Sequence, residues 1–189
     1  MQTIDISNLA EENYLYARHL ATLDGIIIHK NGIFRINTVT KHSAFEAIDF
    51  WRNIALAAEI LLKASLLKYE VPFFRKRAHS EYGSKVTAEK NPWLEETLRS
   101  LQIEYIAQIN TGTLSTAMIS AQEVLFEKIS YDDQKAKLVS EMIYIIIRTR
   151  RNRNNHFFFA NQGSIDMSEV EILYLPLLNM LDELYIYQK

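Results

Sequence analysis

The sequence predicts an all-α fold, a bundle of about five to six helices with one small β-hairpin near residues 25–37.

 Three observations predict it. Only five glycines and three prolines interrupt 189 residues, too little punctuation for a chain of many short strands. Apolar residues recur at three- and four-residue steps over most of the length, the period of a helix packed on one face. The one stretch that departs from this period, Ile26-Ile27-Ile28-His29 and Ile33-Phe34-Arg35-Ile36, flanks Lys30-Asn31-Gly32, and Asn-Gly is a tight-turn pair.

Each element follows in order. Asp5 to Asp24 carries Ile6, Leu9, Ala10, Tyr14, Ala17 and Leu20 at helical steps, and the hairpin comes next. Helix resumes near Thr40 and runs to about Tyr69, so apolar throughout that it is expected at the centre of the bundle. Val71 to Pro92 reads as a polar, basic-flecked loop, and Pro92 suits the first turn of a helix reaching about Ile109. Thr111-Gly112-Thr113 breaks the pattern before a shorter helix, Leu114 to Ile129. Ser130-Tyr131-Asp132-Asp133 offers capping oxygens to the next helix, which turns Leu138, Met142, Ile145 and Ile146 inward and ends around Ala160 to Gly163. Asp166 and Ser168 can start a last helix, Glu169 to Tyr187, with a kink expected at Pro176. No internal repeat interrupts this order. The chain is read as a single domain, 1–189, with 1–39 as an N-terminal helix and hairpin extension and 40–189 as the helical core.

Composition narrows the function classes. With 48% hydrophobic and 23% charged residues and a mean hydropathy of -0.11, the chain has globular proportions. Its uncharged apolar runs, such as Ile54 to Ala58 and Ile143 to Ile147, fall far short of a bilayer span, so no membrane partner is expected. Met1-Gln2-Thr3-Ile4-Asp5 has neither a basic head nor an apolar signal core, and a cytoplasmic address is expected. The absence of cysteine excludes disulfides, thiol catalysis and cysteine-ligated metal. Net charge is -2, whereas proteins that coat nucleic acid are usually basic. Any phosphate grip is therefore local.

That local grip is visible at Arg148-Thr149-Arg150-Arg151-Asn152-Arg153-Asn154-Asn155-His156, where four of the ten arginines gather after an apolar helical run. Crowded guanidinium groups repel one another unless an anion sits among them, and their planar forks match phosphate oxygens. His156 adds a side chain that exchanges protons near neutral pH. On a helix, Asn152 and His156 share a face with Arg151 at its flank. A ribonuclease working without metal or cofactor needs such a set: a base for the ribose 2′-hydroxyl, an arginine for the phosphorane charge and a proton donor for the 5′-oxygen. One histidine does not easily fill both proton roles in one step, so a second copy of the chain or a water is expected to fill the other. The bland alternative is a solvated, cationic helix end that complements the helix dipole.

Arg151-Asn152-Arg153-Asn154-Asn155-His156 resembles the arginine–asparagine–three-residue–histidine signature of the HEPN superfamily, the higher eukaryotes and prokaryotes nucleotide-binding domains. Ala57-Ala58-Glu59-Ile60-Leu61-Leu62-Lys63-Ala64 is similar to the core helix these domains often show. The resemblance spans roughly Thr40 to Tyr187. Aligned instead on Arg153-Asn154-Asn155, the chain places Phe158 where the signature has histidine. The resemblance implies a metal-independent endoribonuclease acting on single-stranded RNA at a homodimer cleft, in toxin–antitoxin or phage-defence systems, with an antitoxin protein as a further partner. It implies Arg151, His156 and Asn152 as catalytic residues and Arg148, Arg150, Arg153 and Asn155 as substrate-binding residues. The alternative is a non-catalytic HEPN-like domain that binds a nucleotide, RNA or protein.

Several other features admit two readings. Glu59 and Lys63 form an i, i+4 pair with Arg52 on the same stripe, either an ordinary surface salt bridge or, for Glu59, a carboxylate that orients Arg148 or Arg151. Phe157-Phe158-Phe159 can stack on a base or pack in the core. Phe73, Phe74, Arg75, Lys76 and Arg77 mix rings and charge as single-strand binders do, or merely line a loop. His19, His29, His42 and His79 show no ligand-like spacing with carboxylates, and no glycine-rich phosphate loop is present.

Overall fold

A computed structural model of the chain describes residues 6–37, 44–71, 113–143 and 164–187. The described part is mostly helical, with one two-stranded antiparallel sheet. Its elements are α1 (Ile6–Thr22), β1 (Ile27–Lys30), β2 (Ile33–Ile36), α2 (Ala44–Lys68), α3 (Thr113–Ile129) and α4 (Asp133–Met142). A final helical rod follows in three contiguous pieces, α5 (Met167–Glu169), a π-turn (Val170–Tyr174) and α6 (Leu175–Ile186). The expected loop from Val71 and the expected helix from Pro92 lie outside the described residues, beyond Val71 itself.

The centre is α2, as its composition led one to expect. Phe50, Trp51, Ile54, Ala57, Ala58, Leu61 and Leu62 form one broad buried stripe, widened by Ala55 and Leu66, while Asp49 and Arg52 stay exposed on the remaining side. Against it lies α1, which buries the single stripe Ala10, Tyr14, Ala17, Leu20 and Ala21. Alanines on the stripe let the two backbones approach closely. On another side α6 packs with Leu177, Leu178, Leu181 and Leu184. By contrast, α4 is buried on one side only, through Ala136, Val139 and Met142, and Leu138 is half-buried. Ile145 and Ile146 lie outside the described residues.

Helix ends explain the chain's turns. Asp132 caps α4 by accepting from the Lys135 N–H at 2.9 Å, and Asp166 caps α5 by accepting from the Ser168 N–H at 2.9 Å. The last two helices therefore start where the capping oxygens stand in the sequence. At its C-terminus α2 closes with Glu70 in the left-handed region (φ 53). The Val71 N–H donates to the Leu66 carbonyl and the Glu70 N–H to the Leu67 carbonyl, the paired bonds of a Schellman motif. Ser130 plays the same part after α3, where Phe126 stacks on Tyr131.

Pro176 does not end the last helix. The Leu175 N–H reaches back to the Val170 carbonyl, a five-residue step that widens the turn just before the proline. A proline lacks the N–H for the usual bond and its ring crowds the carbonyl one turn earlier. The disturbance expected at Pro176 is thus taken up as a π-turn over Val170–Tyr174.

The hairpin forms around Asn31 (φ 54) and Gly32 (φ 77), two left-handed residues of the kind a two-residue I′ connection requires. Ile27 pairs with Ile36 and Lys30 with Ile33. The hairpin faces α1 and α6 and sends Ile27 and Phe34 into the core. Among the described residues, no helix is long and apolar enough to cross a membrane.

Candidate functional site

Arg148, Arg150, Arg151, Asn152, Arg153, Asn155 and His156 lie outside the described residues, as do Phe157 to Phe159 and Phe73 to Arg77. What is described is the approach to the arginine cluster. Ile143 follows α4 with helical backbone angles (φ -60, ψ -48), five residues before Arg148 in the sequence.

Two side chains flagged on α2 behave differently from a surface stripe. The Lys63 Nζ donates to the Glu59 Oε1 at 2.5 Å, and the Glu59 side chain is only 5% exposed while Lys63 keeps 27%. The surface salt bridge of the sequence reading is therefore corrected to a buried carboxylate paired at the edge of the core. Such a pair owes its persistence to mutual compensation, because either charge alone would be poorly solvated there. Arg52 instead pairs with Asp49 at 2.7 Å, both half-exposed, where solvent screening leaves the contact weak.

A second polar group stands where α1, β1 and α6 meet. The His29 Nε2 lies 3.2 Å from the Asp182 Oδ2, with side chains 8% and 2% exposed. Arg18 on α1 donates from Nη2 to the other ring nitrogen, Nδ1, and from Nη1 to the Tyr14 hydroxyl at 3.5 Å. The Tyr14 ring stacks on Tyr185 of α6 at 3.9 Å. Burial raises the Tyr14 phenol well above its ordinary range, and the neighbouring Asp182 carboxylate raises it further, against a smaller opposing pull from Arg18. His29 also meets Phe34 edge-on at 4.6 Å.

The chemistry open to this group is limited by its own saturation. A guanidinium can only donate, so Nδ1 must accept, and the carboxylate then takes the hydrogen on Nε2. Both ring nitrogens are engaged inside the protein, and neither is offered to a substrate. The group is a tie between three elements. Among the described residues, no set of three histidine or acidic side chains is placed to hold a metal ion.

The sequence shows no ligand-like spacing between His29 and a carboxylate, and the contact with Asp182 arises only through the fold. Asp182 is 153 positions away, beyond the reach of any spacing rule. One trace was available: Asp182 interrupts the apolar run Leu177, Leu178, Met180, Leu181, Leu184, and a carboxylate on such a face needs a partner. No protein-family model, curated protein or solved structure matches the chain.

Proposed function

We propose that the chain is a metal-independent endoribonuclease of HEPN type that cleaves single-stranded RNA at a cleft shared by two copies. The observation that carries this reading is the cluster Arg148 to His156, with Arg151-Asn152 and His156 at the spacing of the HEPN signature. The mostly helical architecture and the central α2 with its buried Glu59 suit the reading. In the proposed reaction a base removes the 2′-hydroxyl proton, the 2′-oxygen bonds to phosphorus and the bond to the 5′-oxygen breaks, the leaving oxygen taking a proton. His156 does acid–base work, Arg151 neutralises the phosphorane and Asn152 orients the histidine or the phosphate. Arg148, Arg150, Arg153 and Asn155 hold flanking phosphates. A cytoplasmic toxin or phage-defence nuclease, held in check by an antitoxin protein, is the setting this proposal fits.

The test is cleavage of single-stranded RNA in EDTA. Cleavage lost in both Arg151→Ala and His156→Ala, with helical circular dichroism retained, supports the assignment. Unchanged cleavage in either variant overturns it. A second reading, a non-catalytic HEPN-like domain that binds a nucleotide, RNA or protein, is favoured by the net charge of -2. RNA retention without turnover, surviving His156→Ala but failing in Arg151→Ala, selects that reading.

A further inference from the structure

Two sides of α1 are covered. The hairpin and α6 take one, where Tyr14 stacks on Tyr185, and α2 takes the adjoining stripe of Ala10, Ala17 and Leu20. The remaining side carries Leu9, Tyr16 and Leu23, exposed at 36%, 50% and 52%. A single exposed apolar side chain is ordinary, but a row of them marks a contact surface. These three stand seven residues apart, so they run almost straight along the helix, as the seam of a helix pair does. Leu23, one residue past the end of α1, continues the turn by donating its N–H to the Leu20 carbonyl at 3.4 Å. Glu12 and His19, both exposed, follow Leu9 and Tyr16 by three residues and border the same row. Exposed Leu15 flanks it on the other edge.

We propose that this row is a contact between two copies of the chain, with their α1 helices packed antiparallel about a twofold axis at Tyr16. In that direction the row is its own complement. Turning one copy end for end sets Tyr16 beside the partner's Tyr16, and Leu9 beside the partner's Leu23. Glu12 then falls within one residue's rise of the partner's His19. The carboxylate accepts from the imidazole N–H, and the twofold axis makes the bond twice. A parallel pair would set Glu12 against Glu12, and like charges facing each other are costly. The helix dipoles favour the same choice, because each positive N-terminus meets a negative C-terminus. An apolar segment of another kind could cover the three large side chains, but it would leave Glu12 and His19 unanswered. The face of a 17-residue helix is about 25 Å long and about 10 Å wide, well short of the ~800 Å² per partner of a standard interface. The pairing is therefore weak and reversible, and shows at high protein concentration. This inference stands whether or not the chain cuts RNA.

The experiment is thiol cross-linking of concentrated protein with a bis-maleimide of two-carbon spacer. The chain has no cysteine, so each single-cysteine variant reports one position. Val124→Cys is the control, since Val124 is 49% exposed on a different helix, α3. Tyr16→Cys is expected to link to itself about tenfold faster than the control, because pairing raises the effective concentration of one thiol around the other. Leu9→Cys and Leu23→Cys are each expected to link no faster than the control, since the antiparallel pair holds like positions ~21 Å apart. An equal mixture of those two variants, one carrying a mass tag, is expected to form the mixed dimer at the Tyr16→Cys rate. Tyr16→Cys linking no faster than Val124→Cys overturns the proposal. So does Leu9→Cys linking to itself as fast as the mixture links, which would be the parallel arrangement.

Discussion

The Asn179 side chain holds the backbone of Phe34 at both of its polar groups. Its Oδ1 accepts from the Phe34 N–H at 2.8 Å, and its Nδ2 donates to the Phe34 carbonyl at 3.2 Å. An amide can do this because it carries a donor and an acceptor side by side, as a neighbouring strand would. On this face Asn179 replaces a third strand and fixes the hairpin's buried Phe34 against α6.

Asn179→Leu is therefore expected to destabilise the fold by about 2 kcal/mol, since it leaves two backbone groups without their partner. For a chain of this length that is a fall of roughly 4–8 °C in Tm. Asn179→Asp keeps the acceptor and loses the donor, and is expected to fall between. Thermal unfolding followed by circular dichroism checks the order; a Leu variant as stable as the unmodified chain contradicts the clamp.

Two left-handed positions are expected to respond in opposite directions. At Gly32 a Cβ meets no atom within 4 Å, so Gly32→Ala carries only the conformational cost of φ 77, about 1 kcal/mol of destabilisation. Glu70 occupies φ 53 with a side chain, and Glu70→Gly is expected to gain up to about 1 kcal/mol by relieving it. Denaturant midpoints measure both, and a Glu70→Gly variant that is destabilised contradicts the second expectation.

Lys63→Met is expected to cost about 2 kcal/mol, because it strips the ion pair from a buried Glu59 carboxylate. The cost stays below that of a wholly buried pair because 27% of the Lys63 side chain remains in solvent. The double replacement Glu59→Leu with Lys63→Met is expected to be milder than the single one, since the buried carboxylate is then removed together with its lysine. Additive losses in the double variant contradict the pairing.

Alkaline titration tests the buried phenols. Burial raises Tyr14 and Tyr131, with Asp182 adding to the first and Glu183 and Asp132 to the second. In the unfolded chain a phenol loses its proton near pH ~10, while the folded phenols keep theirs above it. Their contribution to stability is thus complete below about pH 10 and is lost as pH rises through the folded values. Phenolate absorbance is expected to show a set of the ten tyrosines that ionises late, and Tyr14→Phe is expected to shrink that set. Ionisation of all ten in one wave, with the fold intact, contradicts it.

Much of the fold was legible because it is written in local chemistry. Asn31-Gly32 specifies its turn from two adjacent residues, Asp132 and Asp166 declare helix starts within three residues, and the apolar α2 announces its central place. Pro176 was legible as a disturbance but not in its form, because a kink and a π-turn relieve the same clash. The His29–Asp182 tie was not legible, since its partners meet only after the chain has folded. Glu59 was legible as a pair with Lys63, but its burial depends on which helices cover that stretch of α2. Arg148 to His156 was legible as a charge cluster whose placement lies outside the described residues.

The most direct measurement of the central claim is the chemistry of the ends left on RNA incubated with the protein in EDTA. Attack by the 2′-hydroxyl predicts upstream fragments ending in a 2′,3′-cyclic phosphate or its hydrolysis product, and downstream fragments beginning with a free 5′-hydroxyl. Fragments carrying 5′-phosphate and 3′-hydroxyl ends, or RNA left uncut, would contradict it.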